Sequence, residues 1–129
     1  MSAEYEIQKA IFQRLNSSPG SGYTVYDDVP EDAEFPYIVV GDGSSIPFDT
    51  KDTNGSEASV VVHSWSRFDG REEVKQIMGE IYDLLHEAEF GVQGHDTILC
   101  LVEFQETFLE PDGRTRHGIQ RFNLIITEQ

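Results

Sequence analysis

The residues of this chain best suited to hold a metal are four histidines, His63, His86, His95 and His117, and one cysteine, Cys100. A zinc site needs three or four such ligands converging on one point. No two of these stand at tight ligand spacing, and Cys100 has no cysteine partner, so no metal is expected. Asp27 and Asp28, just before Val29-Pro30, could serve a hydrolase as acid and base. The same pair also reads as a turn, because Asp bonds its own backbone and tolerates turn geometry. Asp49, Asp52 and Asn54 offer oxygens for calcium, but the spacing, central glycine and terminal glutamate of an EF-hand loop are missing. Ser17, Ser18, Ser44, Ser45 and Ser64 fall outside any G-x-S-x-G elbow. Gly41-Asp42-Gly43 opens no helix and is not a nucleotide fingerprint. The residues therefore point to no catalytic, cofactor or metal site.

The elements that would carry these residues follow from periodicity. Residues 3–16 read as a helix, with Ser2 as N-cap and Glu4 and Glu6 in the first turn, where the dipole favours anions. Ala3, Ile7, Ala10, Ile11 and Leu15 share one face. Asn16 to Gly22 breaks it, and Tyr23 to Tyr26 is a short strand. Glu31 to Glu34 is an acidic connection. Pro36 starts a strand through Tyr37 to Val40, a position that tolerates its missing amide. Gly41 to Gly55, with Ile46 and Phe48 its main apolar members, is either a long hairpin arm with a mobile tip, at about 43–55, or a plain loop. Glu57 to Trp65 alternates: Ala58, Val60, Val62 and Ser64 face one way, Ser59, Val61, His63 and Trp65 the other. Valine on both sides places this strand centrally. Trp65, with Phe68 nearby, reads as core.

A second helix starts at Asp69, with Glu72 completing a capping box. Val74, Ile77, Met78, Ile81, Leu84, Leu85 and Ala88 give it a wide apolar stripe, and Gly91 and Gly94 end it. Strands over 98–109 and 115–127 meet across Glu110-Pro111-Asp112-Gly113-Arg114, a hairpin signal. The expected fold is α+β: a mostly antiparallel sheet of about four to five strands with two helices on one face.

At 129 residues the chain fits a single domain. Its 24 acidic and 9 basic residues give a formal charge of −15. Such a field repels polyanions, and no basic stripe is present to displace counterions from nucleic acid. The lone cysteine gives no internal disulfide. The N-terminus lacks a basic and apolar leader pattern, and no window has the length of a membrane span. Synthesis in a cytoplasm, without a membrane partner, is the expectation.

Val25-Tyr26-Asp27-Asp28-Val29-Pro30 and Pro36-Tyr37-Ile38-Val39-Val40-Gly41 stand five residues apart. With the helix before them, this arrangement resembles the tail terminators, the small tail-completion proteins of long-tailed bacteriophages, prophages and gene-transfer particles. The likeness extends through the valine-rich strand ending at Trp65-Ser66, the helix after Asp69-Gly70 and the final hairpin with His117-Gly118, covering nearly the whole chain. It implies a structural virion protein rather than an enzyme, without cofactor. Such a protein would form a hexameric ring on the tail tube, stop tube polymerisation and offer the head connector a joining surface. Its partners would be its own copies, the tube protein and the connector. DNA would pass through without specific binding, and the acidic surface would suit that role or serve only solubility. The site would lie at the head-proximal end of the tail, assembled in the host cytoplasm. Candidate contact residues are Ile46, Phe48, Asp49, Lys51 and Asp52 in the arm, and Asp112, Arg114 and Arg116 at the last turn. The arginines could meet acidic neighbours or stand solvated. Two other classes stay open: an acidic DNA mimic that inhibits a nucleic-acid enzyme, and a small carboxylate-dependent hydrolase.

Overall fold

Alternation along one central strand sorts the molecule into two sides. In the computed structural model, which describes residues 4–16, 23–26, 28–49, 54–68, 70–87 and 95–128, that strand runs from Asn54 to Ser66. Ala58, Val60, Val62, Ser64 and Ser66 are buried, while Val61, His63 and Trp65 between them are half-buried. The elements in order are α1 (Glu4–Asn16), β1 (Thr24–Tyr26), β2 (Tyr37–Asp49), β3 (Asn54–Ser66), α2 (Glu72–Leu85), β4 (His95–Leu109) and β5 (Arg116–Glu128). They form one five-stranded sheet in the order β1-β2-β3-β5-β4. Only β1 runs parallel to its neighbour. The architecture is the expected α+β, with β3 at its centre.

β3 pairs with β5 without a register shift from Gly55↔Thr127 to Ser66↔Arg116. Their even-numbered residues therefore share one side, where Gln120, Phe122, Leu124 and Ile126 are fully buried. Both helices cover that side. α1 packs over β1 and β2, α2 over β3, β5 and β4, and the helices touch each other. Ile7, Ile11 and Leu15 of α1 and Ile77, Ile81 and Leu85 of α2 join the strand residues in one core. Gly118 lies under α2, where an added Cβ would stand 2.6 Å from Met78 Sδ and 3.3 Å from Val74 Cγ2. Only a hydrogen in place of a side chain lets the helix approach so closely. Cys100 is fully buried on this side, and burial pushes its thiol up to about 12.

Three of the differences from the sequence reading show how neighbouring elements set an end. First, β2 runs past Val40 into the stretch that reads as either a hairpin arm or a loop. A bulge between Val40 and Gly43 re-aims it, and it then pairs on to Asp49↔Asn54. Residues 43–49 are poor in strand formers, but β3, already held by β5, supplies the ladder partners; strand propensity yields to that context. Second, the capping box is absent. Glu72 is the first helical residue of α2, and Arg71 is its N-cap, with no side-chain cap bond. Asp69 lies outside the described residues. Glu73 instead accepts the Ser66 hydroxyl at 2.7 Å, and Glu72 and Glu73 together face the positive end of the helix. Third, α2 ends at Leu85, short of Ala88, Gly91 and Gly94, which lie outside the described residues. β4 captures the chain there. Glu87 N–H donates to Cys100 O at 2.7 Å, Val102 N–H donates to His86 Nδ1 at 3.1 Å, and Glu87 takes the left-handed φ of 57°.

Two phenylalanines on neighbouring strands separate burial from position. Phe122 is fully buried and Phe104 is 48% exposed. Phe122→Ala is expected to cost about 3–5 kcal/mol. Phe104→Ala should change stability by only about 0.5 kcal/mol. Urea unfolding of both variants measures the contrast.

Candidate interaction site

The residues singled out as contacts fall into two groups that the fold keeps apart. Ile46 pairs with Glu57 at one end of β3, and Arg116 pairs with Ser66 at the other. At roughly 3.3 Å per residue, these rows stand about 30 Å apart along the strand. Ile46 is 67% exposed. Phe48 and Asp49 occupy β2 positions opposite Gly55 and Asn54. Lys51 and Asp52 lie outside the described residues. At the far end Asp112 and Arg114 are exposed and Arg116 is half-buried.

The turn at that end is held by its own side chains. Asp112 Oδ1 accepts the N–H groups of Arg114 and Thr115, both at 2.9 Å. Its Oδ2 accepts the Thr115 hydroxyl at 2.6 Å. These bonds, the Thr115 hydroxyl foremost, bring the Asp112 carboxyl down to about 2. Gly113 takes a φ of 76°, which a side chain would resist. Arg67 Nε–H donates to Thr115 Oγ1 at 3.2 Å, and the Arg67 guanidinium lies 4.3 Å from the Phe35 ring centre. Asp112 is therefore a turn brace first, and Arg114 is the residue left at the surface.

Beside this turn, the helix-free side of the sheet carries a row of rings that sequence reasoning missed. Tyr37, Trp65, His117 and Phe108 are direct cross-strand partners on β2, β3, β5 and β4. Ring centres stand 6.2 Å apart for Tyr37–Trp65, 3.7 Å for Trp65–His117 and 4.8 Å for Phe108–His117. Tyr26 of β1 meets Tyr37 at 5.8 Å. Every strand thus contributes one ring. Trp65, read as core, is a half-buried member of this row, and Phe68 is 53% exposed. His117 Nδ1 bonds Glu110 Oε1 at 2.8 Å and its Nε2 bonds His63 Nδ1 at 2.7 Å. The signal was present as one aromatic or histidine near the same end of each strand, but only the register reveals it.

For catalysis or metal binding the arrangement offers little. Among the described residues no three ligating groups converge. Asp28 is exposed, and Asp27 lies outside the described residues. The geometry is that of a surface: an arm, a braced turn and a row of rings.

A model of the family described as tail completion protein gp17 matches residues 9–127. The chain belongs to this family. Tail completion protein gp17 of Bacillus phage SPP1 is 28% identical over 122 residues, which cover 95% of this chain and 83% of that protein. The solved structure of SPP1 gp17 matches with a TM-score of 0.62 at 26% identity, over 95% of this chain and 89% of that one. A chain of the virion of a native gene transfer agent particle matches with a TM-score of 0.84 over 94% of each chain. At 17% identity the latter likeness is one of fold. Membership of the tail completion family makes this a structural tail-assembly protein and not an enzyme. The hydrolase reading of Asp27 and Asp28 falls with it.

The brace at Asp112 has a defined pH window. The carboxyl's ordinary value is 3.8 and its folded value about 2, so its contribution is in place above the former and lost as pH falls through the latter. Amide exchange at Arg114 and Thr115 should therefore quicken on acidification through that window. In Asp112→Ala it should be fast at neutral pH, while β3 amides stay protected.

Proposed function

We propose that copies of this chain close into a hexameric ring on the last ring of the tail tube. The ring stops tube growth and presents the head connector with a joining surface at the head-proximal end of the virion tail. Each copy acts as a single domain, and the arm at 43–55 and the turn at 111–114 reach neighbouring subunits or the tube. DNA passes through without specific binding, eased by an excess of acidic residues. The mechanism is shape and charge complementarity, with no bond made or broken.

The observation that carries the ring reading is where exposed apolar side chains sit. Tyr5 of α1 and Ile46 of β2 lie on one flank of the sheet, at 70% and 67% exposure. Leu99, Phe104, Phe108 and Leu109, all exposed, belong to β4 at the other edge, beside the exposed Tyr82 of α2. Among the described residues, the central strands β3 and β5 expose no large apolar side chain. Two different apolar flanks on one molecule are what a closed head-to-tail assembly needs, because each interface joins unlike faces. A two-fold dimer would need only one.

Light scattering over a wide concentration range, with electron microscopy of the largest species, tests the ring. Ile46→Asp should spoil one flank and Phe104→Asp the other, each leaving a folded monomer. Mixed together, the two variants still own one intact pair of flanks and should form a dimer that grows no further. A mixture that stays monomeric, or wild-type protein that forms only two-fold dimers, would sink the head-to-tail arrangement.

A further inference from the structure

We propose that Tyr5 of one copy seats in the groove between α2 and β4 of the next, over Gly79, with its hydroxyl held by the Gln105 amide. The inference rests on the ring reading, in which unlike flanks meet, and names the residues that join them.

Two glycines bear on α2, and the subunit's own packing explains only one. Gly118 lies beneath the helix, where Met78 and Val74 leave no room for a side chain. Gly79 stands within α2, exposed, and a Cβ added there would meet nothing within 4 Å. Glycine weakens a helix interior, and here its bareness relieves no crowding inside the subunit. The bare position lies in a groove of about 440 Å³ between α2 and β4, the last strand of the sheet, lined also by Lys75, Met78, Tyr82, Gln105 and Glu106. A groove left open at a glycine suits a bulky side chain arriving from outside.

The groove also presents a donor whose direction is fixed from beneath. Gln120 is fully buried, and its Nε2 donates to Met78 O at 2.9 Å and to Gln105 Oε1 at 2.8 Å. A helix carbonyl only accepts, so nitrogen and not oxygen must face it. Both N–H groups of that nitrogen are then in use, and Gln105 turns its oxygen to the second. Its own NH2 group is left as the donor on the groove side. Gln120 Oε1 is buried without a partner among the described residues, a cost of holding the pair this way round. The matching occupant has an apolar body and a terminal acceptor, which describes a tyrosine.

Tyr5 is that residue. At 70% exposure it is the most exposed large apolar side chain among the described residues. It lies on α1, which covers β1 and β2 at the opposite edge of the sheet. Both Tyr5 and the groove belong to the helical layer, so copies set side by side with those layers aligned bring one to the other. Charge permits the meeting despite the formal −15 of each chain. Glu6 and Lys9, 3.6 Å apart, accompany Tyr5, with the Lys9 ammonium 5.7 Å from its ring centre. The groove offers Lys75 and Glu106. Each surface is thus locally neutral and carries one charge of either sign to pair across the contact.

Tyr5→Cys and Gly79→Cys, made separately in the full chain, test the contact. Cys100 is fully buried, so each variant has one reachable thiol. Mixed and treated with a short bis-maleimide, they should give the cross-link between positions 5 and 79 several-fold over the like-with-like products. Gly79→Leu should melt no lower than wild type, since leucine is the better helix former, and should lose ring assembly. Tyr5→Phe should weaken association about fivefold, the loss of one hydrogen bond, and should weaken it no further in a Gln105→Leu background. Wild-type rings without the mixed cross-link, or rings from Gly79→Leu, would overturn the docking and leave the ring reading standing. Wild-type protein with neither rings nor cross-links would overturn both. If a cysteine variant fails to fold, assembly of Gly79→Leu decides.

Discussion

Everything on either side of this sheet depends on the unshifted pairing of β3 with β5. Because strand side chains alternate strictly, one residue of slip would carry Phe122, Leu124 and Ile126 from the core to the open side and bring Arg121 and Asn123 inward. The flanking pairings are looser, with a shift between Val40 and Gly43 on one side and two along β4 on the other. Those irregularities sit outside the central pair, so they re-aim the outer strands without disturbing the core. The middle fixes parity, and the edges are free to bend toward partners.

That division explains how much was legible in the sequence. Ala58, Val60, Val62, Phe122, Leu124 and Ile126 announce their side by alternation alone, and the helical stripe from Val74 to Leu85 announces its own. The end of β2 was only half legible, since residues 41–55 read as either an arm or a loop: Gly43 to Asp49 is strand by virtue of its neighbour and not of its composition. The start of α2 misled as well: Asp69 and Glu72 have capping spacing, but the helix begins at Glu72 with Arg71 as its N-cap, and Glu73 is the residue bonded to Ser66. The candidate contact residues are turn and arm positions. The pairing then places them at opposite ends of one strand, a separation no local pattern encodes. The row of rings is the clearest case. Its members lie on five strands, and their adjacency exists only in the register.

The open side and the flanks divide the surface between two kinds of chemistry. Rings and the His63–His117–Glu110 chain hold one end of the open side together from within. The flanks keep their larger apolar side chains exposed. The fold itself recurs at 17% identity in a chain of the gene transfer agent virion.

Cys100 has a consequence of another kind. A tail protein released with its particle would leave a reducing cell interior for an oxidising exterior, and a reachable thiol would change chemistry on that journey. Cys100 is fully enclosed between the sheet and its helices, and at about 12 its thiol stays protonated in either setting. Thiolate is the form that oxidants and disulfides attack, so the buried thiol is redox-silent, and a cysteine placed on the surface by design would be the chain's sole reactive handle.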